Sequence, residues 1–200
     1  MGEPGVIARA IPSQAIILEL GCGAGRITHP LVALGYRVTA VDSSREMIAQ
    51  IRGAETVIAA IEGLDLGRTF DAVLLASHLI NTPDAVKRVE FMRTCRRHVA
   101  LDGIVVIQRH DTSAFTEARA ASAGESNGIR FTLSDVNVHG RMVDATATYE
   151  TADATWSHAF CAELLDDDAI ESALNDASLR LVSWLDSMRT WFTATPMADS

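Results

Sequence analysis

The sequence predicts an α/β protein: a doubly wound, mostly parallel seven-stranded sheet with an antiparallel β insertion after the fifth strand. Three observations predict it. Five short apolar runs alternate with helical patterns through the first 110 or so residues. Three glycines at every second position, Gly21, Gly23 and Gly25, separate the first run from the first helix. Past about residue 128 the rhythm changes to β-rich runs without helices, and two more such runs close the chain.

Ala15 to Leu18 is apolar on both faces, the pattern of a fully buried strand. The glycines that follow allow φ > 0 and remove Cβ atoms, so a ligand can lie against the backbone. Ile27 to Leu34 reads as a helix, with Ile27, Leu31 and Leu34 on one face, Pro30 in the first turn and Gly35 as the stop. Strand, glycine loop and helix open a Rossmann-like βαβ unit. The plainer alternative is a tight turn with nothing bound. Tyr36 to Val41 is the second strand, and Ser43 to Ile51 a short helix ended by Gly53. Glu55 to Ala60 and Phe70 to Ser77 are the third and fourth strands. Thr82-Pro83-Asp84 supplies a cap, a proline and an acid to a helix that reaches about His98. Asp102-Gly103 turns into the fifth strand, Ile104 to Gln108. Five buried strands joined by helices imply parallel pairing with right-handed crossovers.

Ile129 to Val138, Arg141 to Thr151 and Ala154 to Phe160 read as an antiparallel meander, with His139-Gly140 as its first turn. Asp166-Asp167-Asp168 opens a helix to about Ala177, acids first. Leu179 to Leu185 and Thr190 to Thr195 are the closing strands. No linker is visible, so residues 1–200 read as one domain, with about 111–161 as a cap on the substrate side.

A net charge of −9 argues against a nucleic-acid partner, which needs a basic stripe. Cys22, Cys95 and Cys161 are odd in number and far apart, so no disulfide framework or metal spacing follows. There is no apolar run long enough for a membrane and no basic-then-apolar leader, so the expectation is a cytoplasmic protein.

Ligands of open parallel sheets sit beyond the carboxyl ends of the strands. Those ends carry Glu19 with the glycines, Asp42, Ala60-Ile61, Ser77-His78 and Arg109-His110-Asp111. A carboxylate about twenty residues past the first glycine is where such folds grip a ribose diol.

The set E-x-G-x-G-x-G, VTAVDSS, FDAVLLAS and DGIVVIQ resembles the class I S-adenosylmethionine-dependent methyltransferases over about residues 15 to 110. The closing run LRLVSWLDSMRTWFTATP is similar to their last strand pair. A nicotinamide fingerprint places its third glycine one residue later and lacks the glutamate. The resemblance implies S-adenosyl-L-methionine as cofactor and S-adenosyl-L-homocysteine as product. It assigns Glu19, Gly21 and Gly23 to the methionine end, Asp42 to the ribose, Ser43 and Met47 along the ribose and adenine, Ile61 to an adenine face and the Ser77 carbonyl to the ammonium. Ala60 matches the position where the family often has an acid for the adenine amino group. The short N-terminus lacks room for the family's usual helical lid, which leaves the meander or residues 111 to 127 to cover the site.

His78 and His110 end adjacent strands where a methyl acceptor would sit, and either could take a proton as the methyl moves. Either could equally be hydrogen-bonded in the cleft wall. No histidine pair has metal-site spacing, so no metal is expected. In the family it resembles, an N-P-P-Y or D-P-P-Y after the fourth strand accompanies methylation of a planar amide or base nitrogen; its absence here, with the acidic charge, makes a small-molecule acceptor methylated on oxygen, nitrogen or carbon the expectation. The alternatives are a module that binds the cofactor without transfer and a nicotinamide-dependent reductase. The inserted strands offer a surface for a homodimer.

Overall fold

The computed structural model describes residues 2–112, 123–126 and 129–198. Seven strands form the main sheet: β1 (Ile16–Leu20), β2 (Arg37–Asp42), β3 (Glu55–Ile58), β4 (Phe70–Leu75), β5 (Val99–Gln108), β10 (Leu179–Trp184) and β11 (Trp191–Pro196). Their order is β10-β11-β5-β4-β1-β2-β3, and only β11 runs antiparallel to its neighbours. A second, antiparallel sheet follows β5, in the order β6 (Ala123–Ser126), β7 (Ile129–His139), β8 (Met142–Glu150) and β9 (Thr155–Glu163). The expected architecture is present, with one more inserted strand than the sequence revealed.

The apolar runs explain the layering. Ile17, Leu18 and Leu20 of β1 are essentially solvent-free, and both faces of the sheet are packed. Leu18 and Leu20 join Phe70, Val73 and Met92 on one side, and Ile17 joins Ile7, Leu31 and Leu74 on the other. Each such side chain contributes roughly 1.5–3 kcal/mol by leaving water. Among the described residues the helices include α1 (Glu3–Ala10), α2 (Thr28–Ala33), α3 (Arg45–Ile48), α4 (Ala85–His98) and α5 (Asp167–Asn175).

Five differences from the sequence reading have physical causes. The N-terminal residues are not bare: α1 is there, too short for periodicity to reveal, with Ile7 fully buried. Asp84, not Thr82, caps α4, its Oδ1 accepting from the Val86 and Lys87 amides at 3.0 and 3.1 Å. The helix after β2 is only Arg45–Ile48, because Ser44 takes the cap position. β3 stops at Ile58, two residues before Ala60. Asp102-Gly103 does not turn but lies within β5, beside a register slip between Phe70 and Ala72. A Cβ on Gly103 would lie 3.0 Å from the Asp71 carbonyl oxygen, so the site admits only glycine without rearrangement.

Candidate functional site

The glycine loop is pinned to the end of β2. The Gly21 and Cys22 amides donate to the Val41 carbonyl at 2.8 and 2.9 Å. Gly21, Gly23 and Gly25 all have positive φ (70, 54 and 92°), which excludes most side chains there. Asp42 holds two segments at once: Oδ2 accepts from the Gly23 amide at 2.8 Å and Oδ1 from the Ser44 amide at 2.9 Å. Each oxygen keeps a lone pair for a further donor. The Ala59 amide donates to the Asp42 carbonyl, bringing the chain beyond β3 to the same rim.

Glu19 lies beneath the loop rather than in it. Its carboxyl is 2% exposed and accepts from the Thr28 hydroxyl at 2.6 Å. Burial, only partly offset by Thr28, raises its pKa from 4.5 to about 7. Between pH 4.5 and about 7 the folded protein therefore holds a proton on Glu19 that the unfolded chain has already released. Stability should fall as pH rises through that window, by up to about 3 kcal/mol at 1.36 kcal/mol per unit. Glu19→Gln should flatten this slope, as urea melts at pH 5, 6, 7 and 8 would read. An unchanged slope would place the proton elsewhere.

Of the other sequence-derived positions, Ile61 is buried on the rim. Ser43 and Ala60 are exposed, and Met47 is 42% exposed on α3. A Cβ on Gly21 would lie 2.5 Å from Leu79 Cδ1 and 3.6 Å from Ile61 Cδ1, whereas one on Gly23 would meet nothing within 4 Å. Leu79 thus covers Gly21, and the backbone at Gly23 lies open.

Beyond β4 the chain adopts two consecutive left-handed residues, Ser77 (φ 54°) and His78 (φ 58°), then a 3-10 turn over Leu79–Asn81. Polar ties hold this strained corner. The Ser77 amide donates to Gln108 Oε1 at 2.8 Å, and Arg26 of the glycine loop donates to Ser77 Oγ at 3.0 Å. Glu3 of α1 closes the circuit by pairing with Arg26 and accepting from Gln108 Nε2. The N-terminal helix thus reaches the site that the sequence left uncovered. Buried Asn81 donates to the Glu163 carbonyl at 2.7 Å and accepts from the His110 amide at 2.8 Å, tying the inserted sheet to the strand ends.

His78 and His110 come together. Their rings stack at 4.0 Å with 16° between planes, and Phe160 of β9 stacks on His110 at 5.9 Å. Burial, against a hydrogen bond with the Arg109 backbone, lowers the His78 pKa to about 4. Burial and then His78 lower His110 to about 3. Both rings are therefore neutral near pH 7. His78 Nδ1 is buried and has no hydrogen-bond partner among the described residues. His29 and His98 are structural, accepting from the amides of Arg52 and Leu66.

The two histidines line a cavity of about 930 Å³ between the strand ends and the inserted sheet, with Ser77, Phe131, Tyr149 and Phe160 among its walls. Leu79 stands between this cavity and the glycine loop. Arg26, Glu3, Gln108 and Asn81 had no signal in the sequence, because their partners are more than 28 residues away along the chain or sit on separate elements.

Residues 17–103 match the family model for the methyltransferase domain. The chain is 34% identical over 102 residues to a ubiquinone biosynthesis O-methyltransferase of Caulobacter sp. (strain K31), covering 46% of this chain and 39% of that protein. It is 27% identical over 143 residues to the cypemycin N-terminal methyltransferase of Streptomyces sp., covering 68% and 55%. The chain therefore spans about half or less of the length of these curated relatives. Among solved structures it is similar to the CcbJ methyltransferase of Streptomyces caelestis, with TM-score 0.77, 19% identity and coverage of 98% and 89%. DesVI of Streptomyces venezuelae gives TM-score 0.77, 19% identity and coverage of 97% and 90%.

Proposed function

We propose that this chain, which belongs to the class I S-adenosylmethionine-dependent methyltransferase family, transfers a methyl group to a small molecule. The observation that carries the reading is one rim holding the left-handed glycine loop, the Asp42 carboxylate and a neutral His78. Small-molecule acceptors are supported by the relative named for ubiquinone biosynthesis.

The residues present fit the cofactor. Open backbone at Gly23, the free lone pairs of Asp42 and apolar Ile61 suit a methionine chain, a ribose diol and an adenine face respectively. Leu79 would swing off Gly21 to admit the methionine end, which a leucine tip does cheaply. When bound, S-adenosylmethionine supplies an electrophilic methyl on a sulfonium sulfur.

His78 is the proposed base. A neutral imidazole on the cavity wall has a nitrogen that can take the acceptor's proton as the acceptor's lone pair bonds to the methyl. His110 stacks against it and fixes the plane of the ring. Because the base must be unprotonated and its pKa is about 4, kcat should stay level from pH 8 down to about 5. His78→Ala should lower kcat roughly 10²–10⁴-fold with cofactor affinity unchanged. A kcat within threefold of wild type would remove His78 from the chemistry.

Methyl-labelled S-adenosylmethionine incubated with a metabolite panel tests the whole reading. Label in an organic product supports transfer. Saturable cofactor binding with no labelled product across the panel favours a module that binds without transfer. Enhanced fluorescence of NADH on mixing favours a reductase.

A second copy of the chain is the proposed partner for β9. Among the described residues this edge strand of nine residues pairs on one side only, and it carries neither lysine nor proline. Light scattering should give twice the chain mass, and Ala159→Pro, which removes a mid-strand donor, should give a monomer. A wild-type monomer at high concentration contradicts the pairing.

A further inference from the structure

We propose that the methyl acceptor is a flat, neutral aromatic ring carrying a hydroxyl, held in a slot between the inserted sheet and the ends of β4 and β5. This rests on the methyltransferase reading above and names its substrate class.

The slot follows from strand register. Phe131, Tyr149 and Trp156 stand in one cross-strand row, Leu133, Ala147 and His158 in the next, and Ala145 and Phe160 in a third. Side chains alternate along a strand, so these rows share one face of the sheet. The opposite face carries Thr132, Ser134, Thr146, Thr148 and Ser157, all polar. On the apolar face the central strand contributes buried Ala145 and Ala147 between the larger Val143 and Tyr149, and Leu133, His158 and Phe160 stand on the strands beside them. Small residues in the middle and large rings beside them leave a channel.

The rings around that channel form two near-parallel stacks, tilted by 46° between His158 and Phe160, with Phe131 lying 51° from Tyr149. Tyr149 lies 10° from His158 and 15° from Trp156, and His110 lies 18° from Phe160 and 16° from His78. Aromatic residues are 6% of the chain, yet Phe91, Phe131, Tyr149 and Phe160 all border this one cavity. Such walls favour offset stacking or edge-to-face contact with a flat π system over a puckered sugar ring.

The charges select against a cationic acceptor. The lining cations are paired, Arg26 with Glu3 and Lys87 with Glu62. Neither lining carboxylate, Glu3 or Asp111, is without a partner. An ammonium entering here would lose its water without an open counter-ion. A hydroxyl needs only an acceptor, and the His78 ring on the cavity wall carries one.

The test is an NMR titration of the whole chain with catechol, cyclohexane-1,2-diol and glucosamine, each with and without S-adenosylhomocysteine, whose own binding is measured by calorimetry. Catechol should bind roughly tenfold more tightly than the diol, and glucosamine least. Phe160→Leu should weaken catechol roughly 3–10-fold, the scale of one aromatic pair, and leave S-adenosylhomocysteine affinity unchanged. If S-adenosylhomocysteine binds but catechol does not, or the diol matches catechol, or glucosamine binds more tightly, the aromatic assignment falls and the methyltransferase reading stands. If catechol binds as expected and S-adenosylhomocysteine does not, the reading of function falls and the slot stands. If neither binds, both fall.

Discussion

Gly21→Val is expected to abolish measurable S-adenosylhomocysteine binding while leaving a folded protein. Two independent effects act at this residue. Its φ of 70° is one that a β-branched side chain resists, at a cost of about 1–3 kcal/mol. Its Cβ would fall 2.5 Å from Leu79 Cδ1 and fill the space where the methionine chain would run. Leu79 is the tip of a flexible side chain on a short turn, so the fold can yield; a ligand lying against the loop backbone cannot. The seven-stranded core is remote from the clash, and about 2–3 kcal/mol is a loss a domain of this size survives. Calorimetry beside a urea melt reads both effects. A folded Gly21→Val protein with near-normal affinity would mean the ligand lies elsewhere.

Asp42→Ala should be the other severe substitution, and it should act on stability and affinity together. Removing the carboxylate frees the Gly23 and Ser44 amides, so the loop and the start of α3 both loosen. A hydrogen bond to a charged acceptor is worth about 1.5–3 kcal/mol, although amides that reach water recover part of that, so a stability loss of about 2 kcal/mol is expected. Affinity should fall by a further factor of at least about ten if a ribose diol also binds there. A 2′,3′-dideoxy analogue of S-adenosylhomocysteine separates the two roles. Wild type should bind it more weakly than the parent, and Asp42→Ala should bind both equally. If Asp42→Ala still distinguishes the two ligands as wild type does, Asp42 only pins the loop.

The parallel half of the fold was legible because it is written locally. Buried β strands are continuous apolar runs, and glycines and caps mark their ends. Edges were less legible: Asp84 rather than Thr82 became the cap because its carboxylate reaches two amides. α1 escaped notice because eight residues beginning Glu-Pro-Gly show little periodicity. At the site, strand-end logic placed Glu19, Asp42, Ser77, His78 and His110 on one rim, but it could not give their environments. Glu19 and Asp42 look alike as sequence signals. One is buried on a threonine hydroxyl with a pKa near neutrality, and the other bridges two backbone amides. That difference depends on packing between segments nine and nineteen residues apart. The aromatic slot was hidden for the same reason: only the register of three inserted strands puts Phe131, Tyr149, His158 and Phe160 on one face.

The central claim is that the glycine loop and Asp42 hold a sulfur nucleoside. Its most direct test is calorimetric titration of the wild-type chain with S-adenosylhomocysteine and, separately, with NAD. We predict a saturable one-to-one isotherm with S-adenosylhomocysteine, lost in Gly21→Val, and no heat of binding with NAD. Saturable heat with NAD and none with S-adenosylhomocysteine would contradict it.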